Sequence, residues 1–304
     1  MKNWNLSVVI SHVLLAALFV AVLLPGEKKT APYSAMLCAL ALMEGAYLYR
    51  VRRRPGKLSS ASDIMSILWA LMLVWEVLVS KLDLCHPVLA PALENIFAVF
   101  SEDYLEMGRG ILSSLEILLI GVVVGLALGT LLGLICGWHQ RLKEVFFPIA
   151  GVLAPIPSIV FAPYVIAIMP TFRSASVVVI LLGIFWPTFL KTIISVESID
   201  KNMVDSARTL ELGGFAMIFE VLLPYSMPGI VKGLKVTMTT AVMMLTFAEM
   251  MGSTVGMGYY IVNYNTYGNY TKVIAGIMVV GLVVTLLSSL VSVIQKKAIK
   301  WQNY

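Results

Sequence analysis

Long apolar runs limit what this chain can fold into. An α-helix needs about 20 mainly apolar residues to cross the hydrocarbon core of a bilayer. Eight windows of the 304-residue sequence fit: roughly 6–24, 33–49, 63–80, 111–137, 145–169, 176–195, 230–251 and 272–294. With no water in the bilayer to satisfy backbone N–H and C=O groups, such segments have to be helical. Composition agrees, since only 13% of residues are charged, against about 25% in an average soluble domain. The sequence predicts an all-α, polytopic membrane protein with about eight transmembrane helices. The first run is long and no small-residue cleavage site follows it in LLPGEKK, so it is expected to stay as an anchor.

The net charge of +5 reads as topology, not as nucleic-acid binding. With the N-terminus inside, 16 of the 22 Lys and Arg residues fall on inside segments and 6 on outside ones. This bias predicts both termini in the cytoplasm of a plasma or inner membrane. The basic run RVRRRPGK (50–57) suits an anchor at the lipid headgroups and also a linker. The expected organisation is an appended two-helix hairpin with its basic linker, 1–57, followed by a main domain, 58–304.

Cys38, Cys85 and Cys136 are far apart and form no CxxC, so no disulfide framework is implied. Cys85-His86 is weak evidence for a metal, and no metal or cofactor is expected. No G-x-x-x-x-G-K-[ST], H-E-x-x-H or G-x-S-x-G occurs. The three histidines stand isolated. Enzymatic chemistry has no visible constellation, and transport is the better default.

The fourth window repeats Gly121, Gly125, Gly129, Gly133 and Gly137 at intervals of four. That spacing puts them on one helical stripe, where a second backbone can approach closely. The fifth window, FFPIAGVLAPIPSIVFAP, holds Pro148, Pro155, Pro157 and Pro163. Proline removes a backbone donor and clashes with the preceding turn. A kinked helix and a broken helix lining a transport pathway both satisfy the pattern. Glu249 in LTFAEMMG and Glu116 in SSLEILLIG are intramembrane carboxylates. Each either faces the interior, as is favoured for Glu249, or reaches interfacial water.

Between the sixth and seventh windows lies a polar insert, VDSARTLELGGFAMIFEVLLPYSMPG (204–229). Asp200 is a candidate N-cap for a helix from Lys201. Met203, Val204, Ala207 and Leu210 give that helix an apolar side, and Asp205, Arg208 and Glu211 a polar one. Gly213-Gly214 is expected to stop it by adopting positive φ. A second short helix, FAMIFEVLL, is expected to end at Pro224. A helix lying flat on lipid and a docking helix for a partner both fit.

The insert resembles the cytoplasmic loop of permease subunits of binding-protein-dependent ABC importers, with its pattern E-A-A-x3-G-x9-I-x-L-P. Alignment on Leu223-Pro224 places Asp205-Ser206-Ala207 on E-A-A, Val221 on the I position and Glu211 where glycine is expected. FAEMMGSTVGMGYYI and APIPSIVFAP are similar to segments of the nitrate/sulfonate/taurine branch. SSLEILLIG is similar to S-L-x-R-x-x-x-G with Glu116 in place of arginine. The resemblance covers about 63–301 and implies a type I importer, MetI-like permease core plus an extra N-terminal hairpin. It further implies a second permease chain (a homodimer), two separate ATPase subunits and an extracytoplasmic solute-binding protein. The coupling loop, about 196–229, would dock the ATPase through Asp205, Ser206, Ala207, Arg208, Glu211, Gly213, Gly214, Leu223 and Pro224. Glu249, Pro155, Pro157 and Pro163 would belong to the translocation pathway. An ion-coupled secondary transporter and a non-transporting membrane scaffold are the competing classes.

Overall fold

The computed structural model describes residues 4–26, 28, 30–53, 58–86 and 88–298. Residues 54–57 of the expected basic linker, and Lys2 and Lys300 of the topology count, lie outside the described residues. The described residues form helices and turns, with no strand among them. In order these are α1 (Trp4–Leu23), α2 (Ser34–Arg53), α3 (Leu58–Trp75), α4 (Leu93–Glu102), α5 (Tyr104–Trp138), α6 (Gln140–Leu153) and α7 (Ala162–Ile168). Then follow α8 (Phe172–Glu197), α9 (Lys201–Thr209), α10 (Gly214–Ala216), α11 (Leu223–Met250), α12 (Met257–Thr266) and α13 (Tyr270–Ala298).

Among the described residues six helices are long and apolar enough to cross a membrane, and a bent pair, Gln140–Leu153 with Ser158–Ile168, makes a seventh if it is one span. The eighth expected span is present as α2, a 20-residue helix. It carries Glu44 and ends in Arg50, Arg52 and Arg53, which makes it too polar to match the others. The fifth window settles as a broken helix, its halves bent by 85°. Pro148 is carried inside α6, and Pro163 sits in the first turn of α7, where a missing N–H costs nothing. Pro155 and Pro157 fall in the break itself.

The chain divides into two compact units, Met1–Met107 with Ile261–Met278 and Gly108–Tyr260 with Val279–Tyr304. In the first, α1 packs on α3 and α2 on α3 and α4. Leu18, Met36, Leu40, Trp69 and Phe97 form its core. The Tyr47 hydroxyl and Ser62 Oγ are 2.8 Å apart, which ties α2 to α3 by a buried hydrogen bond. Lys272 Nζ meets Asp103 Oδ2 at 2.7 Å.

In the second unit α5, α8 and α11 share one core, built from Ile117, Leu118, Val122, Ile180, Ile184, Ala241, Val242 and Leu245. Val280, Val284 and Leu287 of α13 pack against it. Lipid tails are as apolar as these side chains, so close packing and not water exclusion holds such helices together. The glycine stripe of α5 supplies that packing. A Cβ added at Gly121, Gly125, Gly129, Gly133 or Gly137 would come within 2.7–3.0 Å of α8 atoms. The facing residues are Ile180, Ile184, Phe185, Thr188, Thr192 and Val196.

Gly133→Ala is expected to lower the midpoint of thermal unfolding in detergent, at an overpacking cost of about 1–3 kcal/mol. Gly151→Ala, where a Cβ meets nothing within 4 Å, should leave the midpoint unchanged or raise it. Equal midpoints for the two variants would contradict the packing account.

Candidate functional site

The polar insert folds as an elbow. Asp200 caps α9, its Oδ1 accepting the Asn202 N–H at 2.9 Å, as its sequence position suggests. Past Thr209 the backbone closes in a Schellman motif. The Glu211 N–H donates to the Arg208 carbonyl at 2.9 Å and the Leu212 N–H to the Ala207 carbonyl at 3.4 Å. That motif needs a left-handed residue one place after the cap, and Glu211 takes it with φ 55. A residue with a Cβ gives up about 1–2 kcal/mol there. The expected stop at Gly213-Gly214 is therefore corrected. Gly213 is extended, at φ −61 and ψ 160, and Gly214 opens the next helix. The bend sits at Glu211 because the free carbonyls of Ala207 and Arg208 fix where the reversal has to occur.

The second expected correction concerns Pro224. FAMIFEVLL does not form a separate helix ending there. α10, a π-helical stretch Met217–Leu222 and α11 run on as one helix from Gly214 to Met250. A proline ring clashes with the carbonyl four residues before it, here Glu220, and a widened turn relieves the clash without ending the helix. Leu223 packs inward beside this stretch, while Pro224 is exposed.

One side of the elbow is locked into the chain. Ala207, Met217, Ile218 and Leu222 form a buried cluster with Leu134 of α5 and Val196 of α8, and Val204 and Leu212 pack on it. Ala207 thus faces the chain's own core. The Tyr225 hydroxyl donates to the Ser198 carbonyl at 3.1 Å, bracing the start of α11 against the end of α8. The other side is open. Leu210 is 74% exposed and Phe215 77%, with Met203 and Phe219 also exposed, and the two phenyl rings touch at 4.6 Å. Asp205 and Arg208 are exposed as well, their charged groups 3.7 Å apart, and Arg208 also lies over the Trp138 ring. Ser206 is exposed but spends its hydroxyl on the Asn202 carbonyl. Beside the elbow opens a cleft of about 640 Å³ lined by Ser198, Met203, Glu220, Pro224, Tyr225 and Lys232. Large apolar side chains exposed next to charges are the composition of an interaction surface. The aromatic pair carried a sequence signal in FAMIF, but helical periodicity alone does not say which face is covered.

The two carboxylates separate. Glu116 is 59% exposed and pairs with Arg173 of α8. Glu249 is fully buried. Ser114 Oγ of α5 donates to its Oε1 at 2.5 Å, and the Gly258 N–H donates to Oε2 at 2.8 Å. The Met257 N–H donates in turn to Ser114 Oγ at 2.9 Å. Gly256, at φ 146, wraps against the carboxylate, where a Cβ would overlap it. Glu249 thereby pins the 251–258 turn to α5 and α11. Ser114, Gly256 and Gly258 are the parts of this site that sequence reasoning did not assign, although SSLE and GMGYY contain them.

A family model for the inner membrane component of binding-protein-dependent transport systems matches residues 129–300. The chain belongs to this family. The permease is 27% identical over 256 residues to the putative aliphatic sulfonates transport permease protein SsuC of Bacillus subtilis (strain 168), covering 83% of this chain and 92% of that protein. It is 30% identical over 189 residues to the nitrate import permease protein NrtB of Leptolyngbya laminosa, covering 62% and 68%. Among solved structures, a chain of the MetNI methionine ABC transporter in an inward-facing conformation shares the fold. Its TM-score is 0.53 at 20% identity, over 65% of this chain and 96% of that one. The chain is thus a permease subunit of an ABC importer, and a multi-pass membrane protein.

Glu211→Gly should raise the unfolding midpoint, because it relieves about 1–2 kcal/mol of strain against about 0.4–1 kcal/mol of added unfolded-state entropy. Glu249→Ala should lower it, because each buried donor left without an acceptor costs about 1–3 kcal/mol. Gly256→Ala should reproduce that loss through the same turn. A stable Glu249→Ala variant would show that the carboxylate anchors nothing.

Proposed function

We propose that the open face of the elbow docks a separate ATPase subunit on the cytoplasmic side, and that α11 carries the resulting motion into the membrane. The observation that carries this reading is an exposed apolar pair, Phe215 and Phe219, with Leu210, Asp205 and Arg208, on a loop whose opposite face is buried. A docking element has to bear load, and the Schellman turn, the Tyr225–Ser198 brace and the unbroken helix from Gly214 to Met250 give it stiffness. Ala207, Gly213, Gly214 and Leu223 serve by shaping the elbow, whereas Asp205, Ser206 and Arg208 present its outer surface. Glu211 sets the angle between the two arms.

In this reading two copies of the chain form the solute pathway, two ATPase subunits supply hydrolysis, and a solute-binding protein delivers cargo outside. Both termini lie in the cytoplasm in this reading, which the positive-inside bias of the sequence supports. The pathway runs along the broken span, with Pro155, Pro157 and Pro163 shaping its irregular backbone. Glu249 contributes by holding the 251–258 turn at the end of α11. The first two helices, within 1–57, form an appended hairpin.

Asp205→Lys and Phe215→Asp test the docking directly. Each should weaken ATPase co-purification by about 2 kcal/mol or more and abolish uptake, while membrane insertion persists. Ala207→Asp would also disturb the chain's own core and is the less specific test. Wild-type uptake in both outward-facing variants would sink the proposal.

A further inference from the structure

The N-terminal hairpin lies outside residues 129–300, which match the family model, and holds a polar cluster of its own. α1 is long and apolar enough to cross the bilayer, and His12 lies about 9 Å inside it from Leu6 at 1.5 Å per residue. His12 Nε2 meets Glu44 Oε1 of α2 at 3.2 Å. The His12 ring stands edge-on to Tyr47 of α2, with centroids 6.1 Å apart, and the Tyr47 hydroxyl is the one bonded to Ser62 of α3. Lys81 Nζ donates to the Leu24 carbonyl at 2.7 Å, so the ends of α1 and α3 meet and the two helices run the same way. The fully buried core lies toward that end. Leu15, Leu18 and Val22 follow His12, Met36 and Leu40 precede Glu44, and Trp69 follows Ser62. The other half of the hairpin is fastened by the two polar links.

The links can be counted in protons. A carbonyl can only accept, so His12 Nδ1, 2.8 Å from the Val8 oxygen, carries a hydrogen. In a neutral imidazole Nε2 is then a bare lone pair. That lone pair would stand against those of the Glu44 carboxylate. The contact holds only with one further proton on the line, on Nε2 as imidazolium or on Glu44 as carboxylic acid. Either way the pair is neutral overall and binds one proton. Without it Glu44 is an uncompensated carboxylate, and both its oxygens are buried with no hydrogen bond. A charge so placed has to reach water or a new partner. Among the described residues His12 is the charged group acting on Glu44. Arg50 of α2 and Asp63 of α3 are exposed. In the π-helical stretch Glu76–Lys81, which packs on α1, Glu76 pairs with Lys81. On α4, Glu94 meets Ser80 and Glu102 is exposed.

We propose that His12 and Glu44 form a one-proton clasp that holds α1 to α2 inside the membrane, which makes the N-terminal hairpin a pH-sensitive element. The closed clasp binds its proton more tightly than the open one. Its contribution is therefore present at about pH 6 and is lost as pH rises through the pair's titration. Opening parts the half of the hairpin that carries the clasp, while the core around Trp69 keeps the other half together.

The test measures distance by double electron–electron resonance in the full-length permease, reconstituted in nanodiscs. Cys38, Cys85 and Cys136 are replaced by serine or alanine, and nitroxides are placed at the exposed positions Leu6 and Leu48 through Leu6→Cys and Leu48→Cys. At about pH 6 the longer-distance population should stay below about a tenth, and at about pH 9 it should be the major one. Glu44→Gln supplies a permanent amide donor to neutral Nε2, so it should stay closed at both pH values. His12→Ala should be open at both. An unchanged distance distribution from pH 6 to pH 9 in the unmodified pair overturns the clasp. So does an equal pH response in Glu44→Gln, or a His12→Ala variant that stays closed. If His12→Ala fails to insert, the comparison of Glu44→Gln with the unmodified pair decides alone.

Discussion

The approach of α5 to α8 through five glycines is the contact on which the rest depends. It is a contact of backbone with side-chain stem, spaced every four residues from Gly121 to Gly137. Inside a bilayer no water-driven collapse holds two helices together, so this fit substitutes for it. α8 is thereby fixed along most of its length. Its far end carries α9 and the elbow, and its middle supplies Gly183 beside the broken span. Other residues of α5 join the neighbouring cores: Ile117 and Leu118 pack with α11, and Leu134 with the elbow.

The irregular features then fall into a mechanical order. The Schellman turn at Glu211 sets the elbow's angle, and the π-helical stretch before Pro224 lets one helix pass from the elbow to Met250 without a joint. Glu249 closes the other end of that helix by gripping Ser114 and the Gly258 amide. The helix between them is continuous from Gly214 to Met250 and anchored at both ends. The two strained or widened turns lie at its base, where they do not weaken the membrane part.

Much of this was legible in the sequence because it follows from spacing. The glycine interval of four, the clustered prolines and the Asp200 cap each have a local cause and a local effect. The apolar windows located the spans, although α2 shows how three arginines and a glutamate keep a helix from resembling the others. What was not legible depended on partners distant in sequence. Glycine chemistry at 213–214 suggested the bend, yet hydrogen bonds to the Ala207 and Arg208 carbonyls placed it at Glu211. The apolar stripe of α9 divides, with Val204 and Ala207 inward and Met203 and Leu210 outward, because α5 and α8 cover only part of it. Ser114 became a partner of Glu249 across 135 residues of chain, a distance that no motif encodes.

The central claim is that the open face of the elbow is where force enters the permease. Hydrogen–deuterium exchange of the membrane-embedded chain, with and without its ATPase, reads this face directly. The account predicts that the amides of 201–219 slow markedly when the ATPase is bound, while those of α1 to α4 do not change. Unchanged exchange across 201–219, with protection appearing on another surface, would contradict it.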